Sequence, residues 1–488
     1  MGRLWYGIVA LCVSVQSGVV IQSGAAAAQT TEERLKRLEQ AIEDLKKHEA
    51  VEREVEGQPP AAAPGEAPNV QQLGQQGQGA ERKYGSIMQG SGKLIYARPF
   101  VASPKAILGG YMDFEYINRR NQGSPSSMEV HRFVPFIYGD ISEHVKFASE
   151  LEIEHGITAS SGSPHSEVSL EFATIDYVIN DKLNLRAGII LLPIGKFNLL
   201  HDAPLRDLTE RPLVARLLYG VVAAETGAGT YGTFYPTRRS KVDYELYVTT
   251  GPNGFDGGGG CQAGSAQANG LKCTNTITER GGIAGARQRK STVGGGLDNN
   301  NGKAVVGRVA FSPFLGLELG GSGYYGTYDP FGQRHLGIWA FDWTAVRGPF
   351  ELIGESIWAY AEDNSRGLSG APCTTDSLAG HLCPERMQGY YIQMNYHFLP
   401  EWITRLAPTF FRPEVSTLTA MVRWEEVNTN KDQPGGLGDL QRLTLGLNYR
   451  PTEDTVFKVD FQYSPQAIDR NSNRIHDTAV LLSAATYF

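Results

Sequence analysis

The segment KVDYELYV, residues 241–248, places Val242, Tyr244, Leu246 and Val248 on alternate positions, with Lys241, Asp243, Glu245 and Tyr247 between them. A period of two sends the two sets to opposite faces of an extended strand. The pattern recurs. VKFASELEI sets Val145, Phe147, Leu151 and Ile153 against Lys146, Glu150 and Glu152. LTLGLNY sets Leu443, Leu445, Leu447 and Tyr449 against Thr444 and Asn448. FKVDFQY sets Phe457, Val459, Phe461 and Tyr463 against Lys458, Asp460 and Gln462.

Strand-like segments of this kind fill the chain from about residue 104 onward, and sixteen are counted. They run over 104–118, 128–141, 144–155, 167–180, 182–192, 220–235, 240–251, 303–313, 315–328, 333–346, 349–362, 386–398, 414–428, 439–450, 454–464 and 473–488. Most have ten or more residues, longer than the ~5–6 of an ordinary strand and close to the ~9–11 that a tilted membrane strand needs. The connections alternate: tight after even-numbered strands, and long (193–219, 252–302, 363–385) after several odd ones. Short turns on one side and long loops on the other are the habit of an outer-membrane barrel. The segment LPEWITRLAPTFFR, 399–412, is long on the short side and breaks the rule. Trp343, Trp358, Tyr360 and Trp424 stand near strand ends, as interfacial aromatics do, and the chain closes on Tyr487 and Phe488. The expected fold is therefore a sixteen-stranded antiparallel up-and-down transmembrane β-barrel, with its apolar face on lipid and its polar face on water.

Three further segments precede it. Arg3, the apolar run LWYGIVALCVSV and the small-residue run GAAAAQ read as a signal peptide over 1–28. An uncleaved anchor is the alternative; Leu11 disfavours a lipoprotein reading of Cys12. Residues 30–56 carry Leu35, Leu38, Ile42 and Leu45 at a and d spacing before Glu49 and Glu52 interrupt it. They predict a short periplasmic coiled-coil helix, with a solvated single helix as the other reading. Residues 57–82, rich in Pro, Gly, Ala and Gln, predict a disordered linker, and 83–488 the barrel.

Composition narrows the function. Mean hydropathy is −0.27, too polar for a helical membrane bundle. A net charge of −7 shows no basic excess for nucleic acid. Cys261 with Cys273, and Cys373 with Cys383, fall as two close pairs that predict disulfide-closed loops in an oxidising compartment. The spacing fits no zinc pattern, and only His381 lies near. GFDGGGG (254–260) and GGLDNNNG (295–302) offer Asp256 and Asp298 to calcium, but read better as flexible loops. No cofactor or metal is expected. No Ser, His and carboxylate set stands at a spacing that suggests hydrolysis, so no enzyme is expected either.

LNLRAGIILLPIG (183–195) followed by Glu210–Arg211, and RGPFELIGES (347–356), taken in order with the strand count and the terminal aromatic, resemble the phosphate-selective porin O and P family. The resemblance spans roughly 104–488 and implies a sixteen-stranded trimeric outer-membrane channel for anions. The chain departs from it in charge, with 45 basic residues facing 52 acidic ones. The channel carries over; the phosphate preference and its ligands do not.

A porin filters by bore and wall charge. The loop after the fifth strand, 196–218, is the candidate constriction. It holds Lys196, Arg206, Arg211 and Arg216 with Asp202, Asp207 and Glu210, which would set a transverse field across a narrow bore. Parity places Lys146, Arg186, Arg308, Arg423, Arg442 and Lys458 on the lumen wall, together with Glu150, Glu152, Glu171, Asp243, Glu245, Glu351, Glu355 and Asp460. About half of that set should pair structurally across neighbouring strands. The leading expectation is a passive channel for small hydrophilic solutes, anions such as phosphate included; the alternative is a plugged structural or binding barrel presenting its disulfide-tied loops.

Overall fold

In the computed structural model the described residues are 106–121, 125–155, 167–219, 223–256, 274–286, 302–366, 383–433, 436–469 and 473–488. The signal peptide, the coiled-coil helix and the linker lie outside them. Of the four loop cysteines only Cys383 lies inside, and it is buried.

The described residues form eighteen strands: β1 (Ala106–Arg119), β2 (Ser127–Asp140), β3 (Val145–Glu154), β4 (Glu167–Val178), β5 (Asn184–Leu191), β6 (Ala224–Phe234), β7 (Lys241–Thr249), β8 (Phe255–Asp256), β9 (Thr274–Asn275), β10 (Ala304–Phe314), β11 (Leu317–Thr327), β12 (His335–Arg347), β13 (Phe350–Ala361), β14 (Arg386–Phe398), β15 (Thr417–Asn428), β16 (Asp439–Thr452), β17 (Thr455–Ile468) and β18 (Arg474–Tyr487). The two-residue strands β8 and β9 pair only with each other. The other sixteen form one closed antiparallel barrel in chain order, with β7 beside β10 and β1 beside β18. Each matches one segment expected from the alternation, within a few residues at either end. No described helix is long and apolar enough to cross a membrane.

The closing pair, β1 with β18, is registered from Tyr111 opposite Tyr487 to Arg119 opposite Ala479, and the last residue extends it. Phe488 exchanges both backbone hydrogen bonds with Gly110, at 3.1 and 2.9 Å, and its ring stacks on Phe133 at 5.6 Å. A Cβ on Gly110 would meet the Val134 carbonyl of β2 and the Phe488 ring, so glycine is needed at this point of β1.

The outer face of KVDYELYV is apolar: Leu246 and Val248 are half exposed, whereas Asp243, Glu245 and Tyr247 are buried. Exposed Leu108, Ile137, Ile175, Val309, Trp339, Phe341, Leu445, Val459 and Phe461 continue that face around the cylinder. An apolar belt of this extent is stable only against a non-aqueous neighbour.

The inner face departs from expectation. It is not uniformly polar. Val306, Leu336, Ile338 and Ile357 of the wall pack with Leu213, Val214, Leu218, Phe255, Ile277 and Ile283 of two long loops, forming a buried apolar core inside the cylinder. A second buried cluster joins Tyr111, Val134, Phe136 and Ala203. The barrel is thus partly filled by its own loops, as a soluble core would be.

The segment that broke the turn rule contains a short helix, Glu401–Leu406. It displays Trp402, Leu406 and Phe410 outward, and the Tyr449 hydroxyl donates to the Phe410 carbonyl.

Candidate functional site

The loop leaving β5 is held inside by the wall, and the hold begins at its root. Gly195 has φ +67, and a Cβ there would collide with the Glu355 carboxyl. That close approach lets Glu355 Oε2 accept the backbone N–H groups of Lys196 (3.0 Å) and Phe197 (3.2 Å). Asn198, fully buried, donates to the Leu192 and Ala223 carbonyls and so ties the two ends of the loop together.

Beyond the root, wall side chains grip the loop backbone repeatedly. Lys458 Nζ donates to the Ala203 carbonyl (2.8 Å) and Arg450 to the Pro204 carbonyl (2.7 Å). Asp460 Oδ2 accepts the Thr209 N–H (2.6 Å), and Glu425 Oε1 the Leu213 N–H (2.8 Å). Arg423 donates to the Glu210 carbonyl and Arg442 to the Arg211 carbonyl, both at 2.9 Å. A buried backbone polar group left unpaired is costly, so a loop inside a barrel needs a polar wall at these points.

The loop's own charges also meet wall partners. Lys196 Nζ donates to Thr344 (2.8 Å) and lies 3.1 Å from Glu318. Asp202 accepts from the Tyr487 hydroxyl (2.7 Å). Arg206 lies 3.4 Å from Asp113. Asp207 accepts from Asn395 (2.8 Å) and Gln393 (3.3 Å). Arg211 is buried, and that burial, with Arg132 and Arg206 nearby, pulls its guanidinium down to about 10. Arg216 is half exposed, 3.7 Å from Glu210. Glu210 binds Arg119 and Arg442 closely and accepts from Gln462 (3.1 Å). Burial alone would raise its carboxyl, but Arg119, Arg442 and Arg216 hold it well below the usual carboxylate range. The expected opposition of charges across a bore is replaced by direct pairing between loop and wall. The reason is desolvation: charges this buried are tolerated only when paired.

The wall residues chosen by parity stand on the inner face. Arg186 binds Asp176 at 2.8 Å, under the Tyr231 ring. Arg308 binds Asp342 at 2.5 Å, and Arg442 and Arg423 share Glu425 at 2.6 and 3.2 Å. Glu152 binds Arg132 (2.5 Å), Asp243 accepts from Thr233 (2.8 Å), Glu245 from the Tyr247 hydroxyl (2.8 Å) and Glu351 from Asn395 (3.0 Å). Glu150 is buried beside them, and Lys146, near the turn, pairs with Asp140 at 2.7 Å. Glu171 reaches the inner face because it is the extra residue of a β-bulge, and it lies 3.0 Å from His201 of the loop.

Parity missed several partners. Asp176, Asp342 and Glu425 obey the same alternation and were legible on the same rule. Arg132 was not: it precedes FVPFIY, where apolar residues stand on both faces and the alternation vanishes. Asp113, Glu115 and His131 form one compact group, and Glu150, His201 and Asp202 another, with ligand-type atoms close enough to share a cation. Arg206 and Arg132 beside the first group supply the positive charge that a metal would. A cavity of about 40 Å³ remains between the loops and the wall, lined by Leu192, Ile194, Tyr219, Glu225, Tyr324 and Ile338 among others.

No family model matches the chain. A protein of Aquifex aeolicus described only as uncharacterized is 26% identical over 384 residues, 76% of this chain and 78% of its own length. Among solved structures, an anion-selective porin from Comamonas acidovorans aligns with TM-score 0.45 and 10% identity, over 78% of this chain and 99% of that one. A Salmonella typhi OmpF complex with daunomycin aligns with TM-score 0.47 and 9% identity over 78% and 97%. The outer-membrane channel DcaP of Acinetobacter baumannii aligns with TM-score 0.43 and 9% identity over 78% and 97%.

Proposed function

We propose that the protein is an outer-membrane channel of porin type, passing small hydrophilic solutes, in which segment 192–219 is the barrier that decides what crosses. The observation that carries the reading is the closed sixteen-strand cylinder with an apolar exterior, charged interior positions and the loop after its fifth strand folded inward. Spanning lipid with strands requires such closure, because an open edge would leave backbone groups unpaired in hydrocarbon. Resemblance to the phosphate-selective porins adds a trimeric assembly and an anion preference to the proposal; the balance of acid and base supplies no separate support for phosphate. The two cysteine pairs are proposed to close outer loops as disulfides.

A second reading has its own observation. The 192–219 segment touches β1, β4 and β11 through β18, and buried apolar side chains fill the space beside it. That arrangement favours a plugged barrel whose loops bind partners. Reconstitution in planar bilayers under a salt gradient separates the two. Stepwise conductance with a defined reversal potential is expected; its absence, with no sugar uptake in liposome swelling, would overturn the channel. A cation-directed reversal potential would overturn the anion preference.

A further inference from the structure

Glu210 is unusual among the loop charges in its surroundings. Its Oε1 is bound by Arg119, with Arg216 at 3.7 Å, and its Oε2 by Arg442 and by Gln462 at 3.1 Å. Arg423 donates to the Glu210 backbone carbonyl and shares Glu425 with Arg442. Four guanidinium groups, those of Arg119, Arg216, Arg423 and Arg442, therefore stand among four carboxylates, those of Glu210, Glu425, Asp460 and Asp477. Removing Glu210 leaves four against three and takes away both oxygens that Arg119 and Arg442 bind. The pocket is also not sealed: the Glu210 side chain is 12% exposed and that of Arg216 47%. A cage of forked donors that holds a carboxylate on both oxygens, with one side reaching solvent, is the chemistry by which proteins bind free carboxylates.

We propose that this cage is a binding site for a small carboxylate, filled at rest by the chain's own Glu210, which a diffusing carboxylate replaces. The other acidic side chains of the loop do not have this character. Asp202 accepts from a tyrosine hydroxyl, and Asp207 accepts from two amides with one guanidinium, that of Arg450, at 3.6 Å, whereas three guanidinium groups stand around the Glu210 carboxylate. Displacing Glu210 releases one of the links between loop and wall, so occupancy and loop seating are coupled. That consequence for transport rests on the channel reading above; the binding site itself does not.

The test is calorimetric titration of acetate into the full-length protein in detergent, at neutral pH. Wild type should bind acetate weakly, since Glu210 competes at high local concentration. Glu210→Ala opens the cage and should bind it more tightly by roughly tenfold or more, as charge-assisted bonds re-form. Arg119→Gln in the Glu210→Ala background should abolish the gain. Heat-modifiable gel migration checks that each barrel is folded, and Glu210→Gln serves if the alanine variant does not fold, with the same direction expected. Equal acetate affinity in wild type and variant, or a gain that survives Arg119→Gln, would overturn the site. A silent bilayer with a positive titration would instead remove the channel reading and leave the site standing.

Discussion

At the scale of single residues, the inside of this barrel obeys the rule for any desolvated interior: a charge persists where a partner meets it. Arg186 and Asp176 are both almost wholly buried and bonded through Nε and Nη2. Asp176→Ala would leave the guanidinium with the more distant Glu245 carboxylate, at 4.0 Å, and the Tyr247 hydroxyl, and a loss below the about 3–5 kcal/mol of a fully broken buried pair is expected, read as a lower midpoint in thermal unfolding of the detergent-solubilised protein. The double change Asp176→Leu with Arg186→Met should recover most of it. Gly195 is a different kind of residue. Its left-handed φ costs a side chain about 1–2 kcal/mol, and its contact with Glu355 adds a clash. Gly195→Ala should leave the barrel folded and loosen the root of the loop, seen as faster protease cleavage within 192–219.

At the scale of elements, the wall and the loop were unequally legible. The strands announce themselves because each residue's neighbours two positions away share its face, a strictly local relation. KVDYELYV and FKVDFQY are plain examples. The alternation fails in FVPFIY of β2 and around Ile338 and Ile357, where inner positions are apolar too, because a loop and not water covers them. The loop's seven charged candidates were found as a group, but their partners were not. Asp207 meets Asn395, and Arg450 meets the Pro204 carbonyl, from strands about two hundred residues away, which no spacing rule reaches. If the loop is the barrier, replacing Lys196–Arg216 by a short Gly-Ser turn should keep heat-modifiable migration and raise unit conductance several-fold. Unchanged conductance would move the barrier to the 252–302 loop.

For the molecule as a whole, the seating of the loop carries a pH dependence with a definite sign. Glu210 has a folded pKa well below its ordinary 4.5, so its contribution is complete above that value and is lost as pH falls toward the folded pKa. Loop seating through this residue should therefore be flat across neutral and mildly acid pH. Conductance traces recorded from pH 8 to about 5 should show no Glu210-dependent change, and a wild-type transition in that window that Glu210→Gln removes would contradict the assignment.

Alternation, strand length and loop length along the chain were enough to determine a closed sixteen-strand cylinder and, wherever apolar and polar residues alternate, which side of a strand faces out, since those properties depend on neighbours two residues apart and on backbone pairing that permits few alternatives. The filling of the interior was decided only by tertiary structure. Whether an inward side chain meets water or a folded loop depends on where distant segments come to rest, and the ion pairs and backbone grips that hold segment 192–219 exist only once the cylinder brings β1 and β11 through β18 around it.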